Sequence, residues 1–225
     1  NFEELRTELG LNVLKRIECY DISNTQGKLA YGSMVVAQDG EIARNEYRIF
    51  KIKGQDTPND PKMLAEVLKR RFANKDFNVW PNIVLVEGGK TQLSVVKGNI
   101  PNNIYIIGIS KGKRFKRKGG RLLDEFWIYS HEDIQKIEIE NKGILIELRD
   151  EAHRFAITHH RKARSQSGQR SVLESIPGVG VITRKALMAY FGNIENIKKS
   201  NREEIMAVVR NKKTTDEICK YFNIS

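Results

Sequence analysis

The apolar positions change their spacing several times along the chain, and each change marks an element. Leu5, Leu9 and Val13 recur at i,i+4 and predict a leading helix over 2–13. Arg16–Ser23 has a strand's composition, with Ile17, Cys19, Tyr20 and Ile22 closed by the turn-forming run Ser23-Asn24-Thr25-Gln26-Gly27. Strands are expected over 15–22, 28–38 and 42–52, with Asp39-Gly40 as a hairpin turn between the last two. At Asn59-Asp60-Pro61 the period changes to helical, Pro61 suiting a first turn, and Met63, Leu64, Val67, Leu68 and Phe72 carry it to about Ala73.

Trp80–Glu87 is nearly continuous in apolar residues, which suits a buried parallel strand. Gly88-Gly89 turns the chain into a helix carrying Leu93 and Val96; strands follow over Ile104–Ile109 and Leu122–Tyr129. Glu132–Glu140 is ambiguous and reads as a helical turn. From Ile144 to Arg164 a long helix is expected, with Leu145, Leu148, Ala152, Phe155 and Ala156 on its buried side. Ser165–Gly168 reads as a linker, and the tail from Ser171 is helical with short loops. Three antiparallel strands followed by helix–strand–helix–strand is the order of an α/β RNase H-like mixed sheet with flanking helices. The expected domains are 1–164, a linker over 165–170, and a small all-α domain over 171–225.

Composition narrows the function. Of 225 residues, 40% are hydrophobic and 30% charged, as in an ordinary globular protein. No apolar run approaches bilayer length and no signal-peptide pattern opens the chain, so a cytoplasmic protein without a membrane partner is expected. Asn1 in place of Met points to a fragment of a longer protein. Cys19 and Cys219 have no CxxC partner, and Cys19 reads as a small core residue in a reducing compartment. A formal charge of +11 suggests a polyanionic partner. Lys111–Arg121 holds seven basic residues and no acid, including Lys113, Arg114, Lys116 and Arg117. It reads either as a solvated loop or as a flexible loop that grips phosphates.

Two carboxylates end apolar strands: Asp21 and Glu87. A carboxylate there needs something to offset its desolvation, and a divalent metal such as Mg²⁺ or Mn²⁺ does so. The plainer readings are a turn cap for Asp21 and a helix-entry acid for Glu87. On the long helix, Arg149-Asp150-Glu151-Ala152-His153-Arg154 surrounds His153 with charge; a lone helical histidine is a ligand or simply structural. Asp60 is a further candidate acid, although helix N-capping also explains it. His159 and His160 read as surface residues. In the tail, Ile176-Pro177-Gly178-Val179-Gly180 followed by Arg184-Lys185 is a helix–hairpin–helix signature, in which glycines let the backbone approach a phosphate.

Taken together, R-I-E-C-Y-D-I-S, V-L-V-E-G-G-K-T-Q-L, I-S-K-G, R-D-E-A-H-R-F-A-I-T-H-H-R-K and I-P-G-V-G resemble, in order over nearly the whole chain, the C-terminal half of the UvrC family. That resemblance implies an RNase H-like endonuclease making the 5′ incision at lesions in bacterial nucleotide-excision repair and the SOS response. A tandem helix–hairpin–helix domain would follow it. It implies a catalytic and metal-binding set of Asp21, Glu87 and His153, with Asp60 as a further acid. Lys90, Lys111, Arg149 and Arg154 become candidate contacts to DNA or to the carboxylates, and salt bridging within the helix explains the two arginines equally well. DNA and UvrB with its damage-recognition complex are the implied partners, UvrB through a segment upstream, where a 3′-incising nuclease domain is also implied. The chain departs from the family in two places. Glu87 stands where the family usually has Asp, which keeps the charge but adds a methylene. Val209-Arg210-Asn211-Lys212-Lys213 stands where a second glycine hairpin is expected.

Overall fold

The computed structural model describes residues 2–25, 29–52, 59–111, 124–130 and 133–224. The chain forms two compact units, Asn1–Thr158 and His159–Ser225. The first unit is built on an eight-stranded mixed sheet. Its strands are β1 (Arg16–Thr25), β2 (Leu29–Gln38), β3 (Glu41–Ile42), β4 (Arg48–Lys51), β5 (Ile83–Glu87), β6 (Tyr105–Lys111), β7 (Asp124–Ser130) and β8 (Asp133–Ile137). The order is β3-β2-β1-β5-β6-β7-β8, with β4 also pairing β2. The expected antiparallel opening is present: β1 pairs β2, and β2 pairs β3 and β4, all antiparallel. β5 then inserts parallel between β1 and β6.

Alternation along the strands divides the core into two layers. On one face Ile17, Cys19, Ile83, Leu85, Ile107 and Ile109 pack against α1 (Phe2–Glu8) and α4 (Gly143–Glu174). On the other, Tyr20, Met34, Val84, Val86 and Ile106 meet α2 (Asp60–Ala73) and α3 (Lys90–Val96). A buried ionic cluster sits in this second layer. Glu18 Oε1 accepts from Arg16 Nε at 2.9 Å and Arg71 Nη2 at 2.7 Å, while Glu18 Oε2 accepts from the Tyr20 hydroxyl at 2.6 Å and Arg71 Nε at 3.1 Å. Glu18 and Arg71 are fully buried, and the Arg71 guanidinium lies 4.3 Å from the Phe77 ring centre. Each of the four oxygen lone-pair directions thus has a donor, which is the condition under which a charge is tolerated inside a protein.

Several expected boundaries are corrected. The leading helix stops at Glu8, and Val13 is half exposed, so the i,i+4 spacing to Val13 is coincidental. The third strand is two strands, because Arg44–Glu46 forms a 3₁₀ turn between them. Trp80 precedes its strand and is exposed on one side, since Pro81 removes a ladder donor. Glu132–Glu140 contains β8, where Ile134 is buried and its neighbours are not. The residues read as a linker lie within α4: Ser-Gln-Ser-Gly-Gln-Arg holds one glycine and no proline, and a single glycine costs a helix only about 1 kcal/mol.

The second unit takes the end of α4 with α5 (Val181–Phe191), α6 (Ile194–Lys199), α7 (Arg202–Val209) and α8 (Lys212–Phe222). Leu173, Ile176, Leu187, Ile197, Ile205 and Ile218 form its core. Asn193, Asn201 and Asn211 each cap the following helix with a side-chain oxygen.

Candidate metal centre

The centre forms at the carboxyl ends of the parallel strands, and side-chain alternation decides what it contains. Asp21 continues the Ile17–Cys19 face of β1, and Glu87 continues the Ile83–Leu85 face of β5. Tyr20 pairs with Val86 in the parallel register, so the next step brings the two carboxylates side by side. α4 covers that face with Leu145, Leu148 and Ala152, and His153 follows directly after Ala152. One possible ligand atom from each of Asp21, Glu87 and His153 lies within 4.8 Å of the others. His153 Nδ1 stands 3.6 Å from Asp21 Oδ2. Asp21 is buried, Glu87 half-buried and His153 exposed, which leaves the cluster open to solvent.

The electrostatics are those of an unrelieved acid pair. Burial raises the Asp21 pKa from 3.8 to about 7, reinforced by the charge of Glu87, by a hydrogen bond shared with it, and by Asp60. The Ile22 N–H opposes this. Two carboxylates and an imidazole converging where negative charge is disfavoured are a donor set that fits a divalent cation. Among the described residues no other such cluster forms.

The three residues border a cavity of about 400 Å³, also lined by Asp60, Gln92 and Ser110. Asp60 opens α2, but Asn59 is the cap: its Oδ1 accepts from Lys62 N–H at 3.1 Å. Capping therefore does not account for Asp60, which faces the cavity instead. Ser33, opposite Asp21 in the β1–β2 register, places its hydroxyl 3.4 Å from the Asp21 carbonyl and 3.3 Å from that of Ala152. It ties α4 to the strand that carries the acid.

The candidate DNA contacts divide differently. Lys90 is exposed at the start of α3. Lys111 ends β6 with its side chain outside the described residues, as are Lys113, Arg114, Lys116 and Arg117. Arg149 is engaged by Asp124 of β7 and by Asp150, and the exposed Arg154 by Glu151. In the tail, Gly178 has φ of 85° and a Cβ there would meet Thr214 Oγ1 at 2.7 Å, so glycine is required. Val179 is buried, Gly180 caps α5, Arg184 pairs with Glu174, and Lys185 is exposed. His159 is half-buried, and the side chain of His160 lies outside the described residues.

Sequence reasoning missed Gln92, Ser110 and Ser33. Only Gln92 had a signal, since glutamine three residues after Gly89 fits a helix-start pattern. The serines acquire their positions from strand pairing.

Comparison with known proteins agrees with this arrangement. The model of the UvrC RNase H endonuclease domain family matches residues 6–157. UvrABC system protein C of Alkaliphilus oremlandii is 37% identical over 230 residues, covering 92% of this chain and 36% of the relative. Its counterpart in Wolbachia sp. subsp. Brugia malayi is 40% identical over 222 residues, covering 96% of this chain and 36% of that one. The chain thus spans about a third of the length of these curated relatives. A crystal structure of human ENDOV is similar at a TM-score of 0.41 and 15% identity, over 67% of this chain and 86% of that one. With the match spanning every strand and all three clustered residues, the chain belongs to the UvrC RNase H endonuclease domain family.

Proposed function

We propose that this chain is the divalent-metal-dependent DNA endonuclease unit that makes the 5′ incision beside lesions in nucleotide-excision repair. The convergence of Asp21, Glu87 and His153 where the parallel pairing of β1 with β5 ends carries the proposal. Mg²⁺ or Mn²⁺ bound there would polarise the scissile phosphate and supply hydroxide near neutral pH. Asp21 and Glu87 would hold the cation through carboxylate oxygens, and His153 would complete the set through a ring nitrogen. Cation binding would displace the proton that burial and Glu87 hold on Asp21, so affinity should strengthen as pH rises. Asp60, which lines the same cavity and whose charge reaches Asp21, adds a further acid. The extra methylene of Glu87 does not take its carboxylate out of reach of the other two residues, which favours an active nuclease over a DNA-binding scaffold.

The tail, 171–225, is proposed as a tandem helix–hairpin–helix DNA-binding domain joined to a nuclease domain of 1–164. Gly180 caps α5 without a side-chain bond, leaving the first-turn N–H groups of α5 for a phosphate. In the second unit the Asn211 side chain accepts from Thr214 N–H, so that hairpin acts through Arg210, Lys212 and Lys213 instead. DNA, UvrB and the damage-recognition complex are the proposed partners, in the cytoplasm, with UvrB bound through a segment upstream.

Nicking of a supercoiled plasmid tests the reading. We expect cutting with Mg²⁺ or Mn²⁺, abolished by a chelator, by Asp21→Ala and by His153→Ala. Metal-independent nicking, or cutting that survives both substitutions, overturns it.

A further inference from the structure

The cavity is lined by two kinds of polar group: the acids and imidazole of Asp21, Glu87, Asp60 and His153, and the uncharged groups of Gln92 and Ser110 beside Gly88. Among the uncharged groups the Gln92 side chain is held in a single orientation. Its Oε1 accepts from Gly89 N–H at 3.1 Å, which fixes the amide so that the oxygen faces the backbone. The chain makes room for this at Gly88, where φ is 142° and a Cβ would stand 2.4 Å from Gln92 Cγ and Cδ. Gly88 is itself pinned by donating its N–H to the Ile109 carbonyl at 2.8 Å. Among the described residues no acceptor faces Gln92 Nε2. Ser110 adds a hydroxyl nearby, since a Cβ at Gly89 would lie 3.8 Å from its Oγ.

We propose that Gln92 is a substrate-binding residue of this centre, whose Nε2 donates to a non-bridging oxygen of the scissile phosphodiester, with Ser110 as a second donor. The inference rests on the nuclease reading and adds a residue to it. A phosphodiester entering the cavity meets three carboxylates and needs donors to offset them. A lysine or arginine there would pair with Asp21 or Glu87 and compete with the cation for them. An amide donates without carrying charge, and its fixed oxygen keeps it from turning an acceptor toward the phosphate. The Gly88 backbone, which L residues rarely adopt, is thereby explained as the seat of this side chain.

Gln92→Glu separates this role from helix capping. Glutamate keeps the acceptor for Gly89 N–H and serves a helix start as well as glutamine does, but it has no donor. The probe is the dinucleotide dTpdT, titrated into ¹⁵N-labelled chain with saturating Mg²⁺. We expect the Gln92 side-chain NH₂ signals to shift. Gln92→Glu and the uncharged Gln92→Met, which removes the donor without adding charge, should each weaken dTpdT binding at least tenfold at saturating Mg²⁺, while the rest of the ¹⁵N spectrum stays as in the parent. dTpdT binding that leaves the Gln92 signals unmoved, or that is unaffected by Gln92→Glu or by Gln92→Met, overturns the proposal and leaves the nuclease reading standing. Absence of Mg²⁺-dependent dTpdT binding in the parent chain also overturns the proposal, whereas the nuclease reading falls only with the plasmid-nicking result.

Discussion

Asp21 illustrates how one residue sets stability against chemistry. Its folded-state pKa, near 7, lies above the 3.8 of an unperturbed aspartate. The folded chain therefore holds this proton more tightly than the unfolded chain. Stability falls as pH rises from about 4 through 7, and the loss is complete above the folded pKa. A shift of this size corresponds to roughly 4 kcal/mol. Metal-free chain should accordingly be less stable to urea at pH 8 than Asp21→Asn, and the difference should vanish near pH 4. Mg²⁺ should restore the parent at pH 8 and do nothing at pH 4. Parallel pH profiles for the two proteins would show that Asp21 is not strained. The acids themselves were legible, because a carboxylate ending an apolar strand is out of place without a partner. Ser33, Ser110 and the orientation of Gln92 were not, because pairing across strands and turns, rather than spacing along the chain, gives them their surroundings.

Among the elements, β1 is the one most heavily committed, since its two faces carry different chemistry. One face carries Asp21; the other buries Glu18, to which α2 is fastened through Arg71. Removing Glu18 leaves Arg71 a buried charge without its counter-ion, which typically costs about 3–5 kcal/mol, whereas removing Arg71 leaves Glu18 still paired with Arg16. Glu18→Ala should lower urea stability by about that much, and Arg71→Ala by less. The double variant should lose clearly less than the sum, because the two share one interaction. Additive losses would mean that the pair is not the source. Nothing in the sequence separates Arg71 from exposed Arg70, its neighbour in the same basic last turn. β8 and the run through 165–170 were misread for a related reason. Local composition there is permissive, and β8 is decided by pairing with β7, which no short window of sequence contains. The long apolar strand β5, by contrast, was legible as buried and parallel, because only a strand covered on both faces is so uniformly apolar.

For the molecule as a whole, charge and topology lead to separate expectations. Nine basic and six acidic residues from Ser171 onward leave most of the +11 excess before the tail. DNA affinity should fall steeply with salt, and replacing Lys113, Arg114, Lys116 and Arg117 by alanine should flatten the slope by roughly 0.9 for each phosphate they no longer neutralise. An affinity indifferent to salt would remove the phosphate-gripping reading of that loop. The helical tail was legible because no strand pattern recurs after Ile144. The boundary was not, since α4 keeps its helical hydrogen bonding across it. The topology also has a kinetic consequence. Positions 21, 87 and 153 are separated by 66 residues at each step, so the three side chains meet only after two long loops have closed. Repulsion between Asp21 and Glu87 is therefore absent while the chain is still searching and arises only on arrival. A divalent cation that relieves it should act almost wholly on the rate of unfolding, leaving the rate of folding as it was. The site's strain is then felt as a shorter lifetime of the finished protein, which its own ligand lengthens.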